Sequence, residues 1–153
     1  MLGERSRITV ARGGRRRLPH ARRGERVPGS QHLTVGPHGE VTLRPAQLPS
    51  EDAPSADLAM TSVAEHARLL AIGVVLTGMG RDAALGAAAI RKFGGIVIAQ
   101  DEASSVVYGM PRAAADMGSV DAMVPLSDLA ETMLACVGDL LSHQLKVGHA
   151  RLA

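Results

Sequence analysis

Aromatic side chains are almost absent from this chain of 153 residues, which has one Phe, one Tyr and no Trp. A surface that stacks the bases of single-stranded nucleic acid needs several aromatic faces, so that class of protein is disfavoured. The chain also has one cysteine, Cys136, which excludes an internal disulfide framework and a zinc site built from cysteines. A single cysteine is typical of a reducing compartment, and we expect a cytoplasmic location.

Long apolar runs and metal-binding motifs are missing as well. No stretch approaches the roughly 20 apolar residues that a membrane span requires, so we expect no membrane insertion. The N-terminus lacks the apolar segment of a secretory signal. The six histidines show no spacing typical of a metal site, and we expect neither a metal nor another cofactor.

Positive charge is concentrated at the N-terminus. Residues 1–26 contain nine Arg and two Glu, whereas the remaining 127 residues contain 8 basic and 13 acidic side chains. Because residues 1–28 are rich in Arg, Gly and Pro, we interpret them as a basic, disordered tail. Such an arm can bind nucleic acid or anionic lipid, but a tail without a partner is the simpler interpretation, and we expect no nucleic-acid partner.

From residue 29 onwards the apolar pattern becomes regular, and it predicts a domain over 29–141 followed by a tail over 142–153. Two short strands flank a turn-forming Gly-Pro-His-Gly segment, and a proline-containing linker follows. Helices and buried strands then alternate, which predicts an α/β fold with part of a doubly wound parallel sheet. The predicted elements are strands 32–35 and 40–43, linker 45–54, helix 55–70, strand 71–76, helix 82–92, strand 96–99, a short helix from 111, strand 120–124 and helix 128–141.

Functional groups of such sheets lie at the carboxyl ends of the strands, here residues 77–82 and 100–111. Three interpretations of the first segment are open. Gly78, Gly80 and Ala83, together with Asp101, fit a dinucleotide-binding fingerprint, although Asp82 would repel a pyrophosphate. Alternatively, Asp82 caps the helix that follows it. The third interpretation makes Asp82 the orienting acid of a hydrolase triad.

Two long segments resemble the protein-glutamate methylesterases of the CheB type. Val74–Asp82 matches the family's strand followed by Gly-Met-Gly-x-Asp, and Ala99–Pro111 matches its loop with the sequence AQDEASSVVYGMP. The similarity covers about residues 29–137. It implies a serine hydrolase of bacterial chemotaxis that removes methyl groups from glutamyl esters on chemoreceptors and can also deamidate receptor glutamines.

The resemblance also implies roles for residues at the strand ends. Asp82 stands at the position of the triad aspartate and would orient the catalytic imidazole. The backbone N–H groups of Met79 and Gly80 are candidates for stabilising an oxyanion. Met110 and Pro111 belong to the loop that would line the substrate cleft. The cytoplasmic domains of methyl-accepting chemoreceptors are the implied partners.

The chain departs from the family pattern in two respects. Ala83 follows Asp82 where the family usually has Gly, a change that could crowd the turn. The family's nucleophilic Ser and base His lie in its first half, and residues 1–30 contain no nucleophile elbow. We therefore expect a truncated domain, from a damaged gene, a frameshift or a wrong start codon, that is inactive or weakly active alone. No receiver domain is recognisable either.

Ser104, Ser105 and His66 are the candidates for a relocated nucleophile and base. Ser104 and Ser105 lie on a strand-end loop, where serines usually form local hydrogen bonds, and His66 lies on a predicted helix. We expect no Ser and His to approach Asp82 productively. The alternative function is a non-enzymatic remnant that binds the receptor or a complementary half-domain.

Overall fold

The computed structural model describes residues 9–12, 16–17, 23–27, 29–47 and 53–150, with side chains described from residue 27 to residue 140. The strands are β1 (Thr9–Arg12), β2 (Arg16–Arg17), β3 (Arg23–Arg26), β4 (Gln31–Val35), β5 (Glu40–Pro45), β6 (Ile72–Val75), β7 (Ile96–Gln100) and β8 (Ala122–Val124). The α-helices are α1 (Ala56–Ala67), α2 (Ala84–Lys92), α3 (Met110–Asp116) and α4 (Leu129–Ala150), with a 3-10 turn at Arg68–Leu70.

A parallel sheet in the order β6-β7-β8 organises the second half of the chain. Val74 pairs with Ile98, which in turn pairs with Ala122. The central strand β7 is an apolar run with almost no exposure, as expected for a strand covered on both faces. The predicted α/β class and the three predicted strands are confirmed.

The predicted hairpin is also present, with β4 and β5 antiparallel and Leu33 opposite Leu43. Gly39, at φ 73°, takes the left-handed conformation that closes the turn. The strand β2 adds to β5, and β1 pairs with β3. The strands β1, β2 and β3 lie inside the segment 1–28 that is interpreted as a disordered tail, and Val27 is the other described residue of that segment. The domain boundaries remain a prediction.

Helix α1 begins where the sequence predicts, because the Ser55 side chain accepts a hydrogen bond from the Leu58 N–H at 3.3 Å. Its last predicted turn is the 3-10 segment instead. The predicted end of α4 near Leu141 is wrong, since the helix continues to Ala150. Residues 142–150 contain no proline, and Leu, Gln and Lys among them favour helix.

Small residues allow the helices to approach closely over the sheet. A Cβ on Gly73 would lie 2.7 Å from Ile90 Cδ1 and 2.8 Å from Met60 Cε, so α1 and α2 both cover β6 at that point. Alanine and β-branched residues fill the core in place of aromatics. The core consists of Ala64, Ala71, Val75, Ala83, Ala87, Ile90, Val97, Ala99 and Ala114. No helix in the described ranges is long and apolar enough to cross a membrane.

Candidate active site

Two loops at the carboxyl edge of the sheet are joined by side-chain and backbone hydrogen bonds. Thr77 exchanges bonds with Val107, donating from Oγ1 to the carbonyl at 3.1 Å and accepting from the N–H at 2.9 Å. The Gly78 carbonyl accepts from the N–H groups of Gly109 and Met110 at 3.1 and 2.9 Å. The loop after β6 and the loop after β7 therefore form one surface.

The buried side chain of Gln100 links the same two loops from below. Its Oε1 accepts from the Thr77 N–H at 2.9 Å, and its Nε2 donates to the Ser104 carbonyl at 2.7 Å. Both the oxygen and the nitrogen of this amide are hydrogen-bonded to protein groups, so the side chain links the two loops directly. Sequence reasoning did not identify Gln100 as a site residue. The signal in the sequence that could have identified Gln100 is a single polar residue at the end of an apolar strand.

The carboxylate of Asp82 caps α1, not the helix that follows it. Oδ2 accepts from the Ala56 N–H at 2.6 Å, and Oδ1 accepts from the Asp57 N–H at 2.9 Å. Oδ1 also accepts from the Ser55 hydroxyl at 3.2 Å and from the Ala83 N–H at 3.1 Å. The interpretation of Asp82 as the N-cap of its own helix is therefore wrong, because α2 begins at Ala84 and its N-cap residue is Ala83.

A second carboxylate completes a reciprocal arrangement between α1 and α2. Asp57 Oδ1 accepts from the Gly86 N–H at 2.7 Å. Asp57, in the first turn of α1, therefore caps the start of α2, while Asp82, which precedes α2, caps the start of α1. A Cβ on Gly86 would lie 2.6 Å from Met60 Cβ and 3.2 Å from Asp57 Cα. The close contact therefore requires glycine. Sequence reasoning did not identify Asp57, because its partner lies 29 positions away.

The surroundings of Asp82 keep its carboxyl ionised. Burial raises the pKa of Asp82, but donors at Ala56, Asp57, Ala83 and Ser55 together outweigh burial and hold the pKa below its usual range. The α1 N-terminus adds a favourable dipole. The side chain is therefore a carboxylate at neutral pH, the state that an imidazole-orienting acid requires.

Ala83, which stands where the family usually has glycine, adopts a backbone conformation that is unusual for a residue with a side chain. Ala83 has φ 82° and ψ −9°, in the left-handed region, and only 3% of its surface is exposed. This conformation costs a non-glycine residue roughly 1–2 kcal/mol. The methyl group packs in the core, so its burial offsets part of that cost.

Asp82 opens onto a pocket of about 410 Å³, lined by Ser55, Asp57, Met79, Gly80, Arg81 and Asp82. The Met79 side chain is 87% exposed, and Gly80 has φ 89°. The structure thus brings together the predicted acid and both predicted oxyanion residues. Met110 and Pro111 start α3 and do not line this pocket; Pro111 is fully buried. Their role in the cleft remains a prediction.

The candidate nucleophiles and base lie away from Asp82. Ser104 donates to Asp101 Oδ1 at 2.6 Å and Ser105 donates to the Asp101 carbonyl at 2.6 Å, which confirms the predicted local bonds. His66 lies in the last turn of α1 and is exposed.

The Ser55 hydroxyl does donate a hydrogen bond to Asp82, but Ser55 serves as the cap of α1. Among the described side chains no imidazole lies between these two, although a triad would require one there. The buried His32 contacts Ser55 through Nδ1, which accepts from the Ser55 N–H at 3.3 Å. Within the described residues no imidazole is hydrogen-bonded to Asp82.

The dinucleotide interpretation fits the geometry poorly. The Gly86 N–H, which would face a phosphate at the start of α2, already binds Asp57. Asp101, the proposed ribose ligand, accepts from the Ser104 N–H at 2.9 Å. In the part of the chain that the structure describes, no group of three or more His, Cys, Asp or Glu side chains could hold a metal ion.

A parallel α/β domain with an oriented carboxylate and a glycine turn at its strand ends is an arrangement that α/β hydrolases share with other α/β proteins. The family model described as CheB methylesterase matches residues 1–133. The chain therefore belongs to the CheB methylesterase family. The match includes residues 1–28, so the similar region begins earlier than the sequence analysis predicted.

The relatives agree with this assignment. Over 88 residues the chain is 56% identical to a protein-glutamate methylesterase/protein-glutamine glutaminase 1 of Carboxydothermus hydrogenoformans, covering 58% of this chain and 26% of the relative. Over 132 residues it is 42% identical to a Burkholderia pseudomallei relative, covering 85% and 37%. The chain thus spans about a third of such relatives.

A solved structure shares the fold as well. The Thermotoga maritima CheB methylesterase catalytic domain superposes with a TM-score of 0.67 at 31% identity. The alignment covers 74% of this chain and 61% of that domain.

Proposed function

We propose that this chain carries the acid-bearing part of a protein-glutamate methylesterase that acts on the cytoplasmic domains of methyl-accepting chemoreceptors. The observation that carries the proposal is the ionised Asp82 carboxylate, which is held by four hydrogen bonds beside an open pocket at the strand ends. The family membership and the names of the relatives support the reaction class.

In this reaction a serine attacks the ester carbonyl while an imidazole takes its proton. Asp82 orients the imidazole and stabilises its cationic form, and remains ionised itself. The imidazolium then donates the proton to the departing methoxide, which leaves as methanol. Water attacks the acyl-enzyme in the second half-reaction and releases the glutamate side chain.

The developing oxyanion needs N–H donors that are not already bonded. In the described hydrogen-bond network, neither the Met79 N–H nor the Gly80 N–H donates to a protein acceptor. Both residues line the Asp82 pocket, and the positive φ of Gly80 turns the backbone sharply there. These groups are the oxyanion donors of the proposal.

Deamidation of receptor glutamines is the second reaction we propose for the same site. An amide and an ester pass through similar tetrahedral intermediates, so one acid, base, nucleophile and oxyanion hole serve both. The relatives' printed names combine the two activities.

We predict that this chain alone turns over slowly, because within the described residues Ser55 bonds to Asp82 as a helix cap and no imidazole is hydrogen-bonded to that carboxylate. Methanol release from a methylated receptor cytoplasmic domain measures this directly. Asp82→Asn is the control and should lower any residual rate further. Turnover at the rate of a complete family member would contradict the prediction.

Binding of a complementary half-domain is the second candidate function. Within the described sheet, β6 pairs with β7 alone, so its other edge has no partner strand. Leu76 follows that edge strand and is 41% exposed. An unpaired edge with exposed apolar residues favours association. Mixing with a separate family segment that carries the Ser and His should restore methanol release, and Asp82→Asn should abolish it.

A further inference from the structure

We infer that Ser55 and Asp57 are positioning residues for the triad acid, and that Oδ2 of Asp82 is the oxygen that accepts the imidazole N–H. The inference rests on the proposed function, since it concerns how that acid is held. Ser55 and Asp57 line the same pocket as Asp82, and we assign them to the support of that carboxylate and not to the reacting atoms. Both act through the first turn of α1.

The two oxygens of Asp82 differ in the number of donors they bind. Oδ1 accepts from the Asp57 N–H, the Ala83 N–H and the Ser55 hydroxyl, whereas Oδ2 accepts from the Ala56 N–H alone. A carboxylate has about four acceptor sites, two on each oxygen. Among the described groups Oδ1 is therefore saturated, and Oδ2 has room for one further N–H.

The Asp57 side chain holds the turn that supplies these donors. Its bond to the Gly86 N–H at 2.7 Å ties α1 to α2 next to Asp82. The absence of a Cβ on Gly86 allows the backbones to meet. The Ser55 hydroxyl both donates to Asp82 and accepts from the Leu58 N–H, so it connects the carboxylate to the helix cap. A frame of this kind restricts the carboxylate to one orientation.

Charge and positioning have opposite effects at Asp57. Removing the negative charge of Asp57 lowers the pKa of Asp82, because a like charge no longer opposes ionisation. Releasing the α1 turn raises that pKa, because backbone donors to Asp82 are lost. Two further titratable side chains belong to this site. Arg81 lines the same pocket, and His32 contacts Ser55. Neither residue is changed in the variants that test the frame.

Carbon-13 NMR of the labelled chain measures the titration of the Asp82 carboxyl. Asp57→Ala and Asp57→Asn both remove the charge, so we expect the pKa of Asp82 to be higher in Asp57→Ala, where the bond to Gly86 is lost, than in Asp57→Asn. Asp57→Asn keeps an acceptor oxygen for that bond but removes the charge, so we expect the pKa to stay or fall. A pKa of Asp82 in Asp57→Ala that is no higher than in Asp57→Asn would overturn the positioning role of Asp57.

Serine variants test the same frame with a smaller change. Ser55→Ala should raise the pKa of Asp82, and Ser55→Thr, which keeps a hydroxyl, should restore it. Ser105→Ala is the matched control, because that hydroxyl donates to the Asp101 carbonyl away from the site. An unchanged pKa in Ser55→Ala would overturn the role of Ser55.

Free imidazole is the probe for Oδ2. Near neutral pH it should shift the Asp82 carboxyl signal and the Ala56 amide, which bonds to Oδ2, more than the Asp57 and Ala83 amides. Larger shifts at the Oδ1 donors, or none, would overturn the assignment. These NMR measurements do not depend on turnover. A negative NMR result would overturn the positioning roles without contradicting the proposed reaction, and a negative methanol assay would not contradict the positioning roles.

Discussion

The free energy of unfolding should depend on Asp82 more than on any exposed aspartate. Asp82→Ala removes the acceptor of two N–H groups at the start of α1, together with the helix cap and its charge. A lost cap costs about 0.5–2 kcal/mol, and a hydrogen bond to a charged group is worth about 1.5–3 kcal/mol. Because water enters the open pocket and replaces part of the loss, we expect about 2–4 kcal/mol in total.

Asp82→Asn separates the charge from the hydrogen bonds. Its amide oxygen still accepts from the backbone, so the expected loss near pH 7 is about 1–2 kcal/mol. Urea unfolding of both proteins provides the measurement. The control is Asp116→Asn, because that carboxylate is 71% exposed in a 3.8 Å pair with Arg112. The control should change stability by less than about 0.5 kcal/mol.

The pH dependence supplies an independent sign test. An aspartate in the unfolded chain titrates near pH 3.9, roughly, and the pKa of folded Asp82 lies lower. The contribution of Asp82 is therefore fully present above the unfolded value and is lost as pH falls through the folded pKa. The stability difference between wild type and Asp82→Asn should shrink on acidification. Equal stabilities near pH 7, or a difference that grows in acid, would refute the reasoning.

Two further predictions concern the frame around the site. Gly86→Ala should destabilise the fold by about 1–3 kcal/mol because its Cβ would meet Met60, whereas the control Gly138→Ala, with nothing within 4 Å, should stabilise α4 by up to about 1 kcal/mol. Thermal unfolding of both variants tests this, and equal shifts would contradict it. Gln100→Ala should cost about 2–4 kcal/mol, since the Thr77 N–H loses its buried acceptor. Hydrogen exchange at Thr77 should then accelerate, and an unchanged rate would argue against the link.

Local patterns in the sequence determined the element order and fold class. The apolar runs of β6 and β7 predict buried strands because only a sheet covered on both faces accommodates them. The cap at Ser55 was predictable because its partner, Leu58, is three residues away. Two segments at strand ends, Val74–Asp82 and Ala99–Pro111, identified the family. Because each follows a parallel strand, both were expected at the same edge of the sheet.

The role of Asp82 as the cap of α1 was decided by the tertiary structure. Its donors at Ala56 and Asp57 lie 26 and 25 positions earlier in the chain, and the Asp57–Gly86 bond spans 29. Periodicity reports which face of an element is apolar, but not which polar group meets a distant helix start. Only the packing of α1 on α2 brings those groups together. The same limit applies to Gln100, whose contact with Thr77 forms only once β6 and β7 pair.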